Sequence, residues 1–125
     1  MAKHNKVGKM GEDKAVEYLL AQGYTLLARN YRYGRDEVDI ITRDGTCIVF
    51  AEVKTRSSNS FGLPEEFVDK AKRKAMKRVA EHYINTLGAD ADIRFDIISV
   101  SNTDTGMIVH HIKDAFFNED SEAYN

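Results

Sequence analysis

This chain is expected to fold as an α/β domain, with two helices and about five strands in the order α-β-β-β-α-β-β. One domain is expected over residues 1–117, followed by an acidic tail at 118–125. Three features point there. Two segments carry apolar residues at helical spacing and each stops at a glycine. Asp44-Gly45 stands between two β-like runs, among the strongest short-range hairpin signals. Two further β-like runs flank a polar stretch that ends at Gly106. With 125 residues, 42 % hydrophobic and 30 % charged, the chain is long enough and apolar enough to bury one core without staples.

Gly11 to Gln22 reads as the first helix, ended by Gly23, with Ala15, Val16, Leu19 and Leu20 as its apolar stripe. Glu12 lies on that stripe, so an acid points toward the sheet. A first-turn glutamate favoured by the helix dipole and a site acid are both open readings. Tyr24 to Tyr33 is the first strand, followed by the loop Gly34-Arg35-Asp36. Its alternation of Tyr31, Arg32 and Tyr33 suits an edge strand better than a base-stacking surface.

A two-residue turn at Asp44-Gly45 pairs Glu37–Arg43 with Thr46–Thr55, placing Arg43 opposite Thr46, Asp39 opposite Phe50 and Glu37 opposite Glu52. Glu37, Asp39, Ile41, Ile48, Phe50, Glu52 and Lys54 then share one face, with Asp39 and Glu52 as diagonal neighbours. Apolar residues on both faces of 47–53 mark a central, covered strand. Cys47, the sole cysteine, reads as a small core residue and excludes an internal disulfide. Arg56 to Leu63 has the composition of a loop. Pro64 opens the second helix, whose stripe of Val68, Ala71, Ala75, Val79, Ile84 and Leu87 runs to Gly88. Ile93–Val100 and Met107–Ile112 form a second hairpin across Ser101–Gly106. Asp96 is expected to anchor a basic partner such as Arg94 or Arg56. His110 and His111 point to opposite faces and read as structural.

The chemistry concentrates on Asp39, Glu52 and Lys54. Phosphodiester hydrolysis requires a hard cation that polarises the phosphoryl oxygen and activates water. Carboxylates are its natural ligands, and two suffice for magnesium, which retains several waters. Asp39 and Glu52 supply them, the carbonyl of Val53 is a further donor, and Lys54 is placed to orient the water or offset phosphate charge. From these residues alone a metal site, a buried ion-pair cluster and a solvated strand face all stay open.

The net charge of −2 hides an uneven distribution. The last thirteen residues hold one basic and four acidic side chains, which leaves the first 112 at +1. Lys70, Lys72, Arg73, Lys74, Lys77 and Arg78 fall within nine positions, and Lys70, Arg73, Lys74 and Lys77 share a helical side. No run approaches the roughly 20 apolar residues of a membrane span. Met1 to Lys6 carries charge with no apolar run behind it, so a cytoplasmic protein with no membrane partner is expected.

Gly11-Glu12-Asp13-Lys14-Ala15, Asn30-Tyr31-Arg32, Glu37-Val38-Asp39-Ile40-Ile41, Val49 to Arg56, and Arg94-Phe95-Asp96 together resemble the small bacterial YraN-like family over about residues 7–113. That family is a predicted member of the PD-(D/E)XK nuclease superfamily, similar to archaeal Holliday-junction resolvases. The resemblance implies a restriction-endonuclease-like core, a mixed sheet flanked by helices. It also implies a DNA endonuclease using Mg2+ or Mn2+, with Asp39, Glu52 and Lys54 as the signature and Glu12 as an additional acid. Lys70, Arg73, Lys74, Lys77 and Arg56 would contact the nucleic-acid backbone without reading sequence. A homodimer follows by analogy with resolvases. The alternative is a non-catalytic nucleic-acid-binding module on the same fold.

Overall fold

The structure, a computed structural model, describes residues 2–57 and 68–116, and of residues 2–7 and 57 the backbone alone. The elements are α1 (Ala2–Ala21), β1 (Thr25–Tyr33), β2 (Asp36–Asp44), β3 (Cys47–Ser57), α2 (Lys70–Leu87), β4 (Asp92–Thr103) and β5 (Gly106–Phe116). The strands form one sheet in the order β1-β2-β3-β4-β5. β3 and β4 pair in parallel and all other neighbours are antiparallel. Parallel neighbours cannot be joined by a tight turn, and α2 lies in the crossover between them. The expected α/β class, element order and mixed sheet are therefore present. The Arg56–Leu63 loop, apart from its first two residues, and Pro64 lie outside the described residues, as does the tail from 118.

The two helices cover opposite faces. Ile48 and Phe50 of β3 join Ile41, Phe95, Met76, Val79 and Ala80 in one core, and Val49 and Ala51 join Ile40, Ile98, Ala15 and Leu19 in the other. β3 is thus central and buried on both sides, as its two-sided apolar pattern requires. Among the described residues no helix is long and apolar enough to cross a membrane.

Helix α1 begins well before the expected Gly11, and its buried line is Gly11, Ala15 and Leu19 at intervals of four. Leu20 lies off that line and is 50 % exposed, because five residues from Ala15 turn a side chain well off the buried face. At Gly23, with φ 94°, the helix closes by two bonds. Gly23 N–H donates to Leu20 O at 3.0 Å and Tyr24 N–H to Leu19 O at 3.0 Å, a Schellman ending.

Helix α2 starts at Lys70, where the Asp69 carboxylate caps it by accepting from Lys72 N at 2.8 Å. Its buried face is Met76, Val79 and Ala80, flanked by Tyr83 and Ile84. The expected stripe is corrected at both ends. Ala71 is exposed because it sits five residues from Met76, and Leu87, 47 % exposed, lies in the last turn.

The first hairpin also departs from expectation. Asp44 pairs with Cys47, leaving Gly45-Thr46 as the turn, and Arg43 faces Ile48 where Thr46 was expected. Gly45 has φ 63°, whereas Asp44 is not among the positive-φ residues. A turn centred on Asp44-Gly45 needs φ > 0 at both positions, so the chain places Gly45 at the first central position instead. Because the register moves by two, the side chains of the paired stretch from Ile40 to Ala51 keep their faces. In the second hairpin the strands run on to Thr103 and from Gly106, so only Asp104-Thr105 makes the turn.

Asp96 shows how this fold accommodates a buried acid. At the β4 bulge between Phe95 and Ile97 its carboxylate accepts from Arg94 Nε and Nη2, both at 2.9 Å, and from Asp114 N–H at 3.0 Å. His111 Nε2 lies 2.7 Å away, and Tyr18 and Tyr24 close the network through His111 Nδ1 and Arg94 Nη2. The expected Arg94 partner and the structural role of His111 are both present. Burial pushes the Asp96 carboxyl up, but the hydrogen bonds from His111, Arg94 and Asp114 outweigh it and its pKa falls below 3.8. The stabilisation is present above that value and is lost as pH falls through the depressed folded one. Asp96→Asn is expected to lose about 3 kcal/mol at neutral pH, because Arg94 is then left with only the more exposed Asp44 as an anionic partner. In thermal melts it should also show a shallower decline in Tm than wild type below pH 3.8.

Candidate active site

Ladder pairing between β2 and β3 ends at Ile40 and Ala51, the residues next to Asp39 and Glu52. Alternation breaks at the same point: Ile41 and Val38, three apart, both lie in the α2-side core, while Ile40 between them lies in the α1-side core. On β1 the residue between the pairs Arg29–Ile40 and Tyr31–Val38 is Asn30, held at φ 51°. Both strands are therefore irregular at Asp39. Its Oδ2 accepts the Val53 N–H at 2.8 Å, so a side chain takes the donor that a neighbouring strand carbonyl would otherwise use.

The two carboxyls are close enough to hydrogen-bond to each other. Glu52 is only 6 % exposed. Burial and then the Asp39 charge push its pKa up to about 7, against the opposing pull of Lys72 and Lys54. Asp39 is raised in the same way, by burial first, with the Val53 N–H working against it and Glu12 adding to it. Two ammonium groups approach Glu52. Lys54 Nζ lies 3.9 Å from Oε2, and Lys72 Nζ, reaching in from α2, lies 3.4 Å from Oε1. Oε1 is shielded from solvent yet accepts no aligned hydrogen bond. A buried carboxylate oxygen left in this state fits a site that takes a hard cation.

Glu12 comes from α1, its side chain 19 % exposed. It accepts from Arg29 Nη2 at 3.3 Å and from Asn30 Nδ2 at 3.1 Å. A cleft of about 570 Å³ is lined by Gly8, Glu12, Asp39, Glu52, Val53, Lys54 and Thr55, so all four residues expected to be catalytic share one cavity. Among the described residues no three His, Cys, Asp or Glu side chains form a metal-sized cluster, and Glu12 lines the same cleft as Asp39 and Glu52.

The basic residues are distributed differently. None of Lys70, Arg73, Lys74, Lys77 or Arg56 lines the cleft. Lys70 is exposed and Lys74 half-buried, while the Arg73 guanidinium lies 5.8 Å from the Phe116 ring centre with Nε shielded, and Lys77 Nζ is shielded as well. Tyr31 and Tyr33 sit on β1, an edge strand as expected, with Tyr33 stacked on His82 at 4.0 Å. The site residue that sequence reasoning passed over is Lys72. Its signal was spacing, since it precedes the buried Met76 and Val79 by four and seven residues and so shares the inward side of α2.

The chain matches the family model described as "Uncharacterised protein family UPF0102" over residues 11–100. It is 44 % identical to a UPF0102 protein of Christiangramia forsetii, covering 94 % of this chain and 98 % of that one. A UPF0102 protein of Bacteroides thetaiotaomicron is also 44 % identical, covering 94 % and 97 %. Among solved structures, "Crystal structure of SSO0001" superimposes with TM-score 0.44 at 17 % identity, covering 95 % of this chain and 56 % of that one.

Two outcomes follow from the geometry. A Cβ on Gly11 would overlap Thr55 Oγ1 where α1 crosses β3, whereas one on Gly8 meets nothing. Gly11→Ala should therefore lower stability by about 1–3 kcal/mol in denaturant titration. Gly8→Ala should leave it unchanged or slightly raised. The raised Glu52 pKa means that its ionisation costs stability as pH rises from 4.5 to about 7, with the whole cost present above. Metal-free Glu52→Gln should thus be more stable than wild type by about 3 kcal/mol at pH 8 and nearly equal to it at pH 4.5, as read from Tm.

Proposed function

The chain belongs to the uncharacterised protein family UPF0102, and within that family we propose that it is a metal-dependent endonuclease hydrolysing DNA phosphodiester bonds. Branched repair or recombination intermediates are its proposed class of substrate. The observation that carries this reading is the Asp39/Glu52 pair. The half-buried Asp39 and the buried Glu52 lie where β2 and β3 part, at the wall of an open cleft, with Lys54 3.9 Å from Glu52. A purely structural acid in this fold is surrounded by donors, as Asp96 is. This pair is instead short of them.

Asp39, Glu52 and the Val53 carbonyl are the proposed holders of Mg2+ or Mn2+, with Glu12 adding negative charge to the cleft. When bound, the cation supplies Lewis-acid polarisation of a phosphoryl oxygen and a lowered water pKa. Lys54 orients the attacking water and offsets charge that builds on the phosphate. Val53 N–H fixes the Asp39 carboxylate in place. Lys70, Lys74, Arg73, Lys77 and Arg56 are the proposed contacts to the DNA backbone, with the exposed Lys70 the best placed of them. A homodimer able to cut two strands belongs to the same proposal.

One observation favours a second reading, a non-catalytic nucleic-acid-binding module: Glu12 is tied to Arg29 and Asn30 and not to the acid pair. Labelled single-stranded, duplex, flap and four-way-junction DNA incubated with Mg2+ or Mn2+ separates the two. Wild type should cleave at least one of these, and Glu52→Gln and Lys54→Ala should each lose at least about 100-fold in rate. Binding of these DNAs by wild type with no metal-dependent product would transfer the conclusion to the module.

A further inference from the structure

Lys72 stands apart from the other basic residues of α2. It lies on the helix's buried line, and its ammonium crosses the core face to the acid pair. There it donates to the Glu37 carbonyl at 3.0 Å and lies 3.4 Å from Glu52 Oε1, the oxygen with no aligned hydrogen bond. It is also only 30 % exposed, so its charge acts on Glu52 with little screening by water. Lys54 approaches the other oxygen, Oε2, at the longer distance of 3.9 Å.

We propose that Lys72 is the resident counter-ion of this site, a positioning residue whose ammonium holds the Glu52 carboxylate in the metal-free protein and competes with a divalent cation for it. The proposal rests on the metal-site reading and adds a residue outside the acid-acid-lysine set. Its physical basis is the charge balance. Asp39 is half-buried beside the buried Glu52, and like charges so placed require a cation. Lys72 supplies one from α2 and is anchored by the Glu37 carbonyl so that it stays at the site. A divalent ion arriving at Glu52 meets this fixed positive charge, which weakens its binding. Lys72 thereby links the helix that bears the basic cluster to the metal ligand.

The test combines a double-mutant cycle with metal titration. In chelator, Lys72→Met is expected to lower Tm by several degrees in the wild-type background and by less than half as much in Glu52→Gln, because its partner charge is already gone. Calorimetric titration with Mn2+ should give Lys72→Met a Kd roughly five- to tenfold lower than wild type, through loss of the competing charge. Lys72→Arg should stay within about twofold of wild type. A lysine that only pins α2 to the Glu37 carbonyl would lower Tm equally in both backgrounds and leave Mn2+ affinity unchanged or weaker. Either result overturns the proposal, as does absence of Mn2+ binding in both wild type and Lys72→Met. The nuclease reading is judged separately by wild-type cleavage. A protein that cuts DNA but shows no Lys72–Glu52 coupling sinks this proposal alone, and coupling with tightened Mn2+ binding in a protein that cuts nothing sinks that reading alone.

Discussion

The parallel pairing of β3 with β4 is the constraint on which the other elements depend. Parallel neighbours need a long crossover, and a strand apolar on both faces needs cover on both faces. Placing α2 in the crossover meets the first need and half of the second. Helix α1 supplies the other half, which is why Gly11 must lack a side chain where it meets Thr55. With β3 enclosed in this way, its end beyond Ala51 opens onto the cleft. Every residue of the candidate site is placed by one of these three elements or by the strand β2 that parts from β3 there.

Asp96 and the Asp39/Glu52 pair are both withdrawn from the surface, wholly or in part, and their surroundings are opposite in character. Asp96 is saturated with donors from Arg94, His111 and a backbone N–H, so its pKa is held down in spite of complete burial. Asp39 and Glu52 share one backbone N–H and two ammonium groups at ion-pair distance, and burial drives both upward, helped by the Asp39 charge at Glu52 and by the Glu12 charge at Asp39. The first arrangement is what a structural ion pair requires. The second leaves electrostatic demand unmet at a cleft wall, the condition in which perturbed pKa values mark candidate functional groups.

Much of this was legible in the letters. The helical stripes, the two-sided apolar strand and the hairpin signals specify two helices and five strands, because periodicity reports which faces are buried whatever the partner. Asp39, Glu52 and Lys54 were placed on one strand pair by the hairpin signal, and a register change of two leaves them there. The departures have local causes. Asp44-Gly45 appeared to be the turn, yet only Gly45 adopts positive φ, and that displaced the pairing. Lys70, Arg73, Lys74 and Lys77 read as one helical side, but Arg73 Nε and Lys77 Nζ are shielded while Lys70 is exposed.

Sequence by itself determined the classes of element, the central place of β3, and the presence of two acids and a lysine within reach of one another, since each follows from spacing along a single chain segment. Tertiary structure alone decided that Asp39 comes beside Glu52, that Glu12 binds Arg29 and Asn30, and that Lys72 meets Glu52. These are contacts between elements separated by 13 to 20 residues. Their geometry depends on where the strands part and how each helix is rotated over the sheet, and no local pattern encodes that.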